Sequence, residues 1–389
     1  MSEDSRGSEA TAMLPRPQGS GRLRTVAARE GEPYTATALA RPAPVTELRG
    51  VDGSSIAVET PLSSTLPEEG FAVLADARIV GPSAWPLTAG NAVPIDAVFV
   101  HELRVHRAYG NAAAAAPEVR LDGETVNLAS AFTMRNYAHA VLDGLGRGGI
   151  LVAGGYDLAV ADHVVVPRFR SPTISALLAR AGVSPDRIVP APARGALWCE
   201  RLVQATFPGR ARQYSEAPAR FMRSLGIAGG PGRRLMILRT GEKRAVANTA
   251  QMHAVAAEFD LEIYDPRASE FSPADFAGAE LVVAAHGAAL GDLGFCPPGA
   301  GVVELLPSGH RYPYFATLAA SSGLAYVPVL GRSVSDAPQA DVTVDPDELR
   351  AAINSLPTPS PPAGAAHDMP RRSLFGRAPS RRRRPPPTR

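Results

Sequence analysis

The stretch that most constrains the fold runs from Leu281 to Leu306. Five apolar residues, Leu281 to Ala285, stop at His286 and Gly287. Ala288 to Phe295 read as a short helix, Pro297, Pro298 and Gly299 as a turn, and Gly301 to Leu306 as a second apolar run broken only by Glu304. Short apolar runs bounded by turn residues are strands buried on both faces, as in a parallel sheet covered by helices. Ligands of such sheets sit beyond the carboxyl ends of the strands, where a glycine lets the backbone approach and the next helix points free N–H groups outward.

The same alternation runs through most of the chain. Strands are expected at 162–166, 187–189, 202–206, 234–238, 261–264, 280–284, 302–306 and 325–329, with helices at 173–181, 217–225, 249–259, 273–278, 288–295 and 313–321. Ahead of these, a strand over 126–132 enters a helix with polar cap candidates. Alternating strands and helices with short turns build a parallel sheet. At 389 residues the chain exceeds one ordinary core, so the fold expected is α/β, with two Rossmann-like domains facing across a cleft. The boundaries follow composition: a disordered stretch 1–35; a first α/β domain 36–212 with a small β-rich lead-in; a second Rossmann-like domain 213–356; and a disordered Pro/Arg-rich tail 357–389. Residues 111–117 read as a loop carrying an alanine run. A last helix over 345–356 is expected to pack back on the first domain.

Composition narrows the class. Hydrophobic residues at 45% and charged residues at 20% are those of an ordinary soluble protein. Two cysteines, Cys199 and Cys296, are too few for a disulfide framework and point to a reducing compartment. No apolar leader and no run of ~18 apolar residues is present, so a cytoplasmic location is expected, with any membrane contact peripheral. Residues 371–389 hold eight arginines and no acid, which leaves the preceding 370 residues at −6 within a total of +2. Such a tail could touch nucleic acid or anionic lipid, but its Pro-rich composition and scarcity of apolar residues favour a disordered end; nucleic acid is an unlikely partner. No Gly-x-Gly-x-x-Gly follows the first strand of either half and no Gly-Lys-Ser/Thr loop occurs, which disfavours dinucleotide dehydrogenases and P-loop enzymes.

Four groups of residues could carry chemistry. Arg239, Lys243 and Arg244 fall within six residues at the carboxyl end of an expected strand, with Asn248 at the head of the next helix. Guanidinium forks and a helix N-terminus suit phosphate, while a solvated turn suits the same residues. His286 sits at a strand-to-helix junction, either packed in the core or projecting into the cleft. Glu304 interrupts an apolar strand and needs partners, either ribose hydroxyls or a structural ion pair. His139 and Asp143 lie four apart on one helix face, as a base and its orienting carboxylate, as Asp143 acting alone, or as a surface pair.

Taken together, Asn136, Tyr137, His139 and Asp143; Arg234 to Arg239 with Arg244 and Asn248; His286 to Leu290 followed by Phe295 to Gly299; and Val302 to Leu305 resemble glycosyltransferase family 61. The resemblance covers about residues 120 to 330. It implies a GT-B fold and an inverting enzyme that uses a nucleotide sugar as co-substrate, in a family linked to capsular or extracellular polysaccharide in bacteria and to protein O-glycosylation or xylan decoration in eukaryotes. Residue by residue it implies that His286, Gly287 and Ala288 line the donor site, that Arg239 and Arg244 hold the diphosphate, and that Glu304 lies near the nucleoside. Asn136, His139 and Asp143 would face the cleft as the acceptor side, for a saccharide or glycolipid acceptor. The chain departs from the family at Ala140, at Leu145 to Arg147 and at Gly291–Asp292. The departures motivate the alternative of a non-catalytic protein that binds a nucleotide sugar or polysaccharide. No metal cofactor is expected: the Asp345–Asp347 pair opens the last helix instead of ending a sheet strand, which leaves the arginines in a metal's role.

Overall fold

The computed structural model describes residues 24–26, 34–39, 45, 47–58, 68–98, 118–130, 133, 136–168, 171–209, 212–239, 243–335, 337 and 339–357. Numbered along the chain, the strands are β1 (Arg24–Val26), β2 (Tyr34–Ala36), β3 (Glu47–Arg49), β4 (Ser55–Ala57), β5 (Gly70–Val80), β6 (Trp85–Leu87), β7 (Ala92–Pro94), β8 (Glu118–Asn127), β9 (His163–Val166), β10 (Ile188–Pro190), β11 (Ala196–Ala205), β12 (Arg233–Ile237), β13 (Glu262–Ile263), β14 (Ala279–Ala285), β15 (Gly301–Pro307), β16 (Ala325–Ser333) and β17 (Val342–Thr343). Two larger sheets carry the fold. The first, of seven strands, is ordered β10-β9-β8-β11-β5-β2, with β6 also on β5. The second, of six, is ordered β13-β12-β14-β15-β16-β17.

The second sheet is what the apolar runs call for. Strands β13 to β16 are parallel, with Ala284 opposite Glu304 and Glu304 opposite Pro328, and every residue of β15 is buried. Only β17 runs antiparallel. The first sheet differs from a Rossmann-like expectation. Strands β8 to β11 are parallel, but β11 also pairs antiparallel with the 11-residue β5 from Ala196–Val80 to Ala205–Phe71. The β-rich lead-in is thus built into this sheet, making it mixed. The architecture is α/β with a parallel sheet and a mixed one. Arg24–Val26, inside the stretch expected to be disordered, pairs in parallel with β7. The alanine-run loop at 111–117 and residues 358–389 lie outside the described residues.

Between the sheets lies a helix over residues 137–153. It is α-helical at Tyr137–His139, π-helical at Ala140–Leu145 and α-helical again at Gly146–Ala153. Asn136 caps it, its side chain accepting from the Ala138 amide at 3.0 Å. The helix buries Ala138, Val141, Leu142, Leu145, Ile150 and Leu151 in one cluster with Val126, Leu128 and Val203 of the first sheet and Leu235, Val282 and Val302 of the second. Most of the helix is buried, Asp143 and Arg147 included, while Val152 reaches solvent. The other face of the second sheet packs Met236, Val283, Val303 and Leu305 against Met252 and Val255 of the 249–258 helix and Leu349, Ala352 and Ile353 of the 346–355 helix. That last helix therefore packs on the second sheet, not back on the first half. Arg350 fastens it to Glu258 through two 2.7 Å hydrogen bonds. Among the described residues no helix is long and apolar enough to cross a membrane.

Candidate functional site

In the second sheet the strand order turns between β12 and β14: the chain goes from β12 out to β13, then returns past β12 to β14. A crevice opens at the carboxyl ends of two strands where neighbouring crossovers leave in opposite directions. Arg239 stands two residues beyond the end of β12, and His286 directly follows β14. A cavity of about 220 Å³ lies there, lined from the second half by Arg244, His286, Gly287, Ala288, His310, Tyr314 and Phe315, and from the first by Asn136, Ala138, His139, Leu142 and Tyr214. Whole small-molecule sites span ~300–1,000 Å³. This enclosed part suits a reacting centre, not a complete extended ligand.

Of the three histidines that line this cavity, His139 and His286 are each backed by a buried carboxylate and a tyrosine. His139 Nδ1 lies 2.7 Å from Asp143 Oδ2, and the Tyr214 hydroxyl donates to Asp143 Oδ1 at 2.7 Å. His286 Nδ1 is bonded to Glu304 Oε1, and the Tyr326 hydroxyl donates to Glu304 Oε2 at 2.5 Å. Burial and the adjacent carboxylate hold both tyrosines protonated, with pKa values well above the usual phenol range. Asp143 is 2% exposed and Glu304 0%, so neither carboxylate meets the cavity; the rings do. With Nδ1 fixed, proton exchange with a ligand runs through Nε2 of each ring. Tyr314 stands between the two, its ring centroid 6.2 Å from His139 and 6.4 Å from His286.

Glu304, expected near a nucleoside, is fully buried and does not itself line the cavity. Both its oxygens are taken, and it is sealed under His286. Asp143 is likewise bonded through both oxygens, and of this pair His139 is the member that lines the cavity. The pair lies in the interior and not on a surface helix.

The cations are distributed unevenly. Arg239 Nη1 reaches the His286 carbonyl at 3.4 Å. A Cβ added at Gly287 would come within 2.5 Å of that nitrogen, so the absent side chain is what admits the guanidinium. Arg244 holds a left-handed backbone, φ +60°, and lines the cavity. Burial first, then the charge of Arg239, depress its pKa, with Glu304 opposing. Lys243 is exposed and does not line the cavity. Asn248 is also elsewhere: its amide donates to the Val344 carbonyl at 2.7 Å and its oxygen accepts from the Val344 amide at 3.0 Å, tying the 249–258 helix to the segment after β17. Asp345 caps the 346–355 helix by accepting from the Asp347 amide at 2.8 Å.

Several site residues escape a reading of single motifs. His310, Tyr312 and Tyr314 follow β15, so the strand-end criterion that selects His286 would have selected them too. The His310 ring meets His286 at 5.0 Å and Tyr312 at 4.3 Å, and Arg212 stacks on Tyr312 at 4.0 Å. Tyr214 and Tyr326 give no local signal, because they are recruited by carboxylates distant in sequence. A further carboxylate, Asp292, is fully buried and accepts from the Tyr137 hydroxyl and the Ser272 hydroxyl, both at 2.7 Å. Beside it, a Cβ at Gly291 would lie 2.9 Å from Ala138 Cα. The turn after His286 is thereby locked directly onto the helix that carries His139.

The arrangement offers a proton acceptor on one wall of a cavity and a concentration of positive charge with open backbone on the other. No curated protein matches the chain. Residues 137–303, which carry His139, Asp143, Tyr214, Arg239, Arg244 and His286 and stop just before Glu304, match the family model described as Glycosyltransferase 61, which assigns this segment of the chain to glycosyltransferase family 61.

Proposed function

We propose that this glycosyltransferase moves a sugar from a nucleotide-sugar donor to a hydroxyl of a saccharide or related acceptor, with inversion, in polysaccharide or glycoconjugate synthesis. The two halves act as in a GT-B enzyme, the second binding the donor and the first the acceptor. The observation that carries this reading is the pair of histidine–carboxylate–tyrosine assemblies on opposite walls of one cavity, with Arg244 on the His286 side. His139 takes the acceptor proton through Nε2 while the hydroxyl oxygen attacks the anomeric carbon. The bond from that carbon to the phosphate oxygen breaks on the far side, and the nucleoside diphosphate leaves with the electron pair. Arg239, Arg244, His286 and the backbone at Gly287 and Ala288 offset the charge that develops there. The cations stand where other transferases use a divalent ion, and transfer proceeds without one.

The test is to incubate the protein with UDP-, GDP- and CMP-sugars and candidate acceptors and to follow free nucleotide and product. Release is expected with one donor, unchanged in EDTA. Asp143→Asn should lower kcat by about 10²- to 10⁴-fold, since the ring loses its orienting carboxylate, with donor affinity nearly unchanged. Loss of activity in EDTA that Mn²⁺ restores would overturn metal independence. Binding without release in the presence of acceptor would leave a sugar-nucleotide-binding protein in place of an enzyme. A cytoplasmic location with peripheral membrane contact through 371–389 belongs to the same proposal, and fractionation of a chain lacking those residues tests it.

A further inference from the structure

His310 is a half-buried imidazole surrounded by positive charge. His286, at the end of β14, has its ring centroid 5.0 Å away. From the segment after β12 come Arg239 and Arg244, and from the segment after β11 comes Arg212, all acting on His310. On its own segment, the Tyr312 ring meets it edge-on at 4.3 Å, while Arg311 lines a separate cavity with Arg332 and Glu348. The two carboxylates of the site are committed elsewhere, Glu304 to His286 and Tyr326, and Asp143 to His139 and Tyr214. An imidazole placed so stays neutral: burial first, then the neighbouring His286 ring and the three arginines, holds its pKa down to about 3.

We propose that His310 contacts a phosphate of the bound nucleoside diphosphate and takes one proton from solvent as that ligand arrives, returning it when the ligand leaves. The inference rests on the donor reading of this cavity. An anion among the cations reverses the field that keeps the ring neutral. At an effective dielectric of about 20, a unit charge ~4 Å away raises a pKa by about three, which moves His310 back towards the ordinary imidazole range. The empty site thus avoids one further repelling charge and acquires it only with phosphate present. A neutral sugar has no charge to draw the proton, so the device favours phosphorylated ligands.

Titration calorimetry with UDP and GDP, run near pH 6 in two buffers of different ionisation heat, counts the protons bound. Wild type should take up more than His310→Asn, by up to one proton per nucleotide. Its Kd should rise up to tenfold more per pH unit in the window between the free and the bound pKa of His310, and level off above it. Protonation of the nucleotide itself is common to both proteins and cancels in the comparison. His310→Gln serves as a second neutral variant, and melting temperatures confirm that both are folded. Equal proton counts in wild type and both variants overturn the role of His310 while leaving the donor site standing. Failure of wild type to bind either nucleotide overturns the donor reading and this inference with it.

Discussion

What a buried carboxylate does depends on what takes its two oxygens. Glu304 and Asp143 each spend one on a histidine and one on a tyrosine, so both brace rings and neither lines the cavity. Asp292 spends both on hydroxyls, Tyr137 and Ser272, and with no cation bonded to it, burial pushes its pKa up to about 6 from an ordinary 3.8. A folded-state value above the unfolded one means that the native state binds the extra proton. Stability is then greatest below pH ~4, falls as pH rises towards ~6, and bears the whole penalty above that. The difference corresponds to about 3 kcal/mol. Asp292→Asn keeps the shape and removes the charge. It should therefore melt higher than wild type at pH 8 and at the same temperature at pH 4, and thermal melts across that range read the difference. A variant that melts lower at pH 8 would show that ionised Asp292 stabilises the joint.

Local elements explain how residues far apart come to share a cavity. The helix over 137–153 widens to π geometry at Ala140–Leu145, a form found mostly as single turns at functional sites, yet His139 and Asp143 still meet at 2.7 Å. Four-residue spacing made that pair legible in sequence. The widening was not legible, since it answers to packing on both sides of the helix. At the end of β14, Gly287 has an extended backbone, φ 175°, which any residue adopts, so its role is space and not conformation. Gly287→Ala should leave the fold intact while displacing the Arg239 guanidinium, whose Nη1 lies 2.5 Å from the added Cβ. Losing a charge-assisted contact of ~1.5–3 kcal/mol weakens nucleotide affinity by about ten- to a hundredfold. Calorimetry beside a thermal melt checks both halves of that expectation. Gly291 holds a similar position against Ala138, one of the departures from the family pattern in the sequence and, in the fold, the contact point between the turn after His286 and the His139 helix.

Across the whole molecule, one hydrophobic cluster runs from Val126 and Leu128 of the first sheet through the 137–153 helix to Leu235 and Val282 of the second. Residues up to Pro357 accordingly form one compact unit. Scanning calorimetry should show a single transition with equal calorimetric and van't Hoff enthalpies, and activity lost in the same step. Two resolved transitions would mean that the halves fold apart. The amino-acid sequence alone determined the parallel second sheet, the strand-end positions of Arg239 and His286, the His139–Asp143 spacing and the family, because apolar runs and short spacings are local properties of a chain. Only the tertiary structure decided that β5 turns the first sheet mixed, that Glu304 serves His286, that Asn248 serves Val344 and that His310, Tyr214 and Tyr326 join the site. Those outcomes depend on which partners long-range packing brings within hydrogen-bonding distance, and a buried carboxylate or amide in sequence is equally ready to bind a ligand or a neighbour.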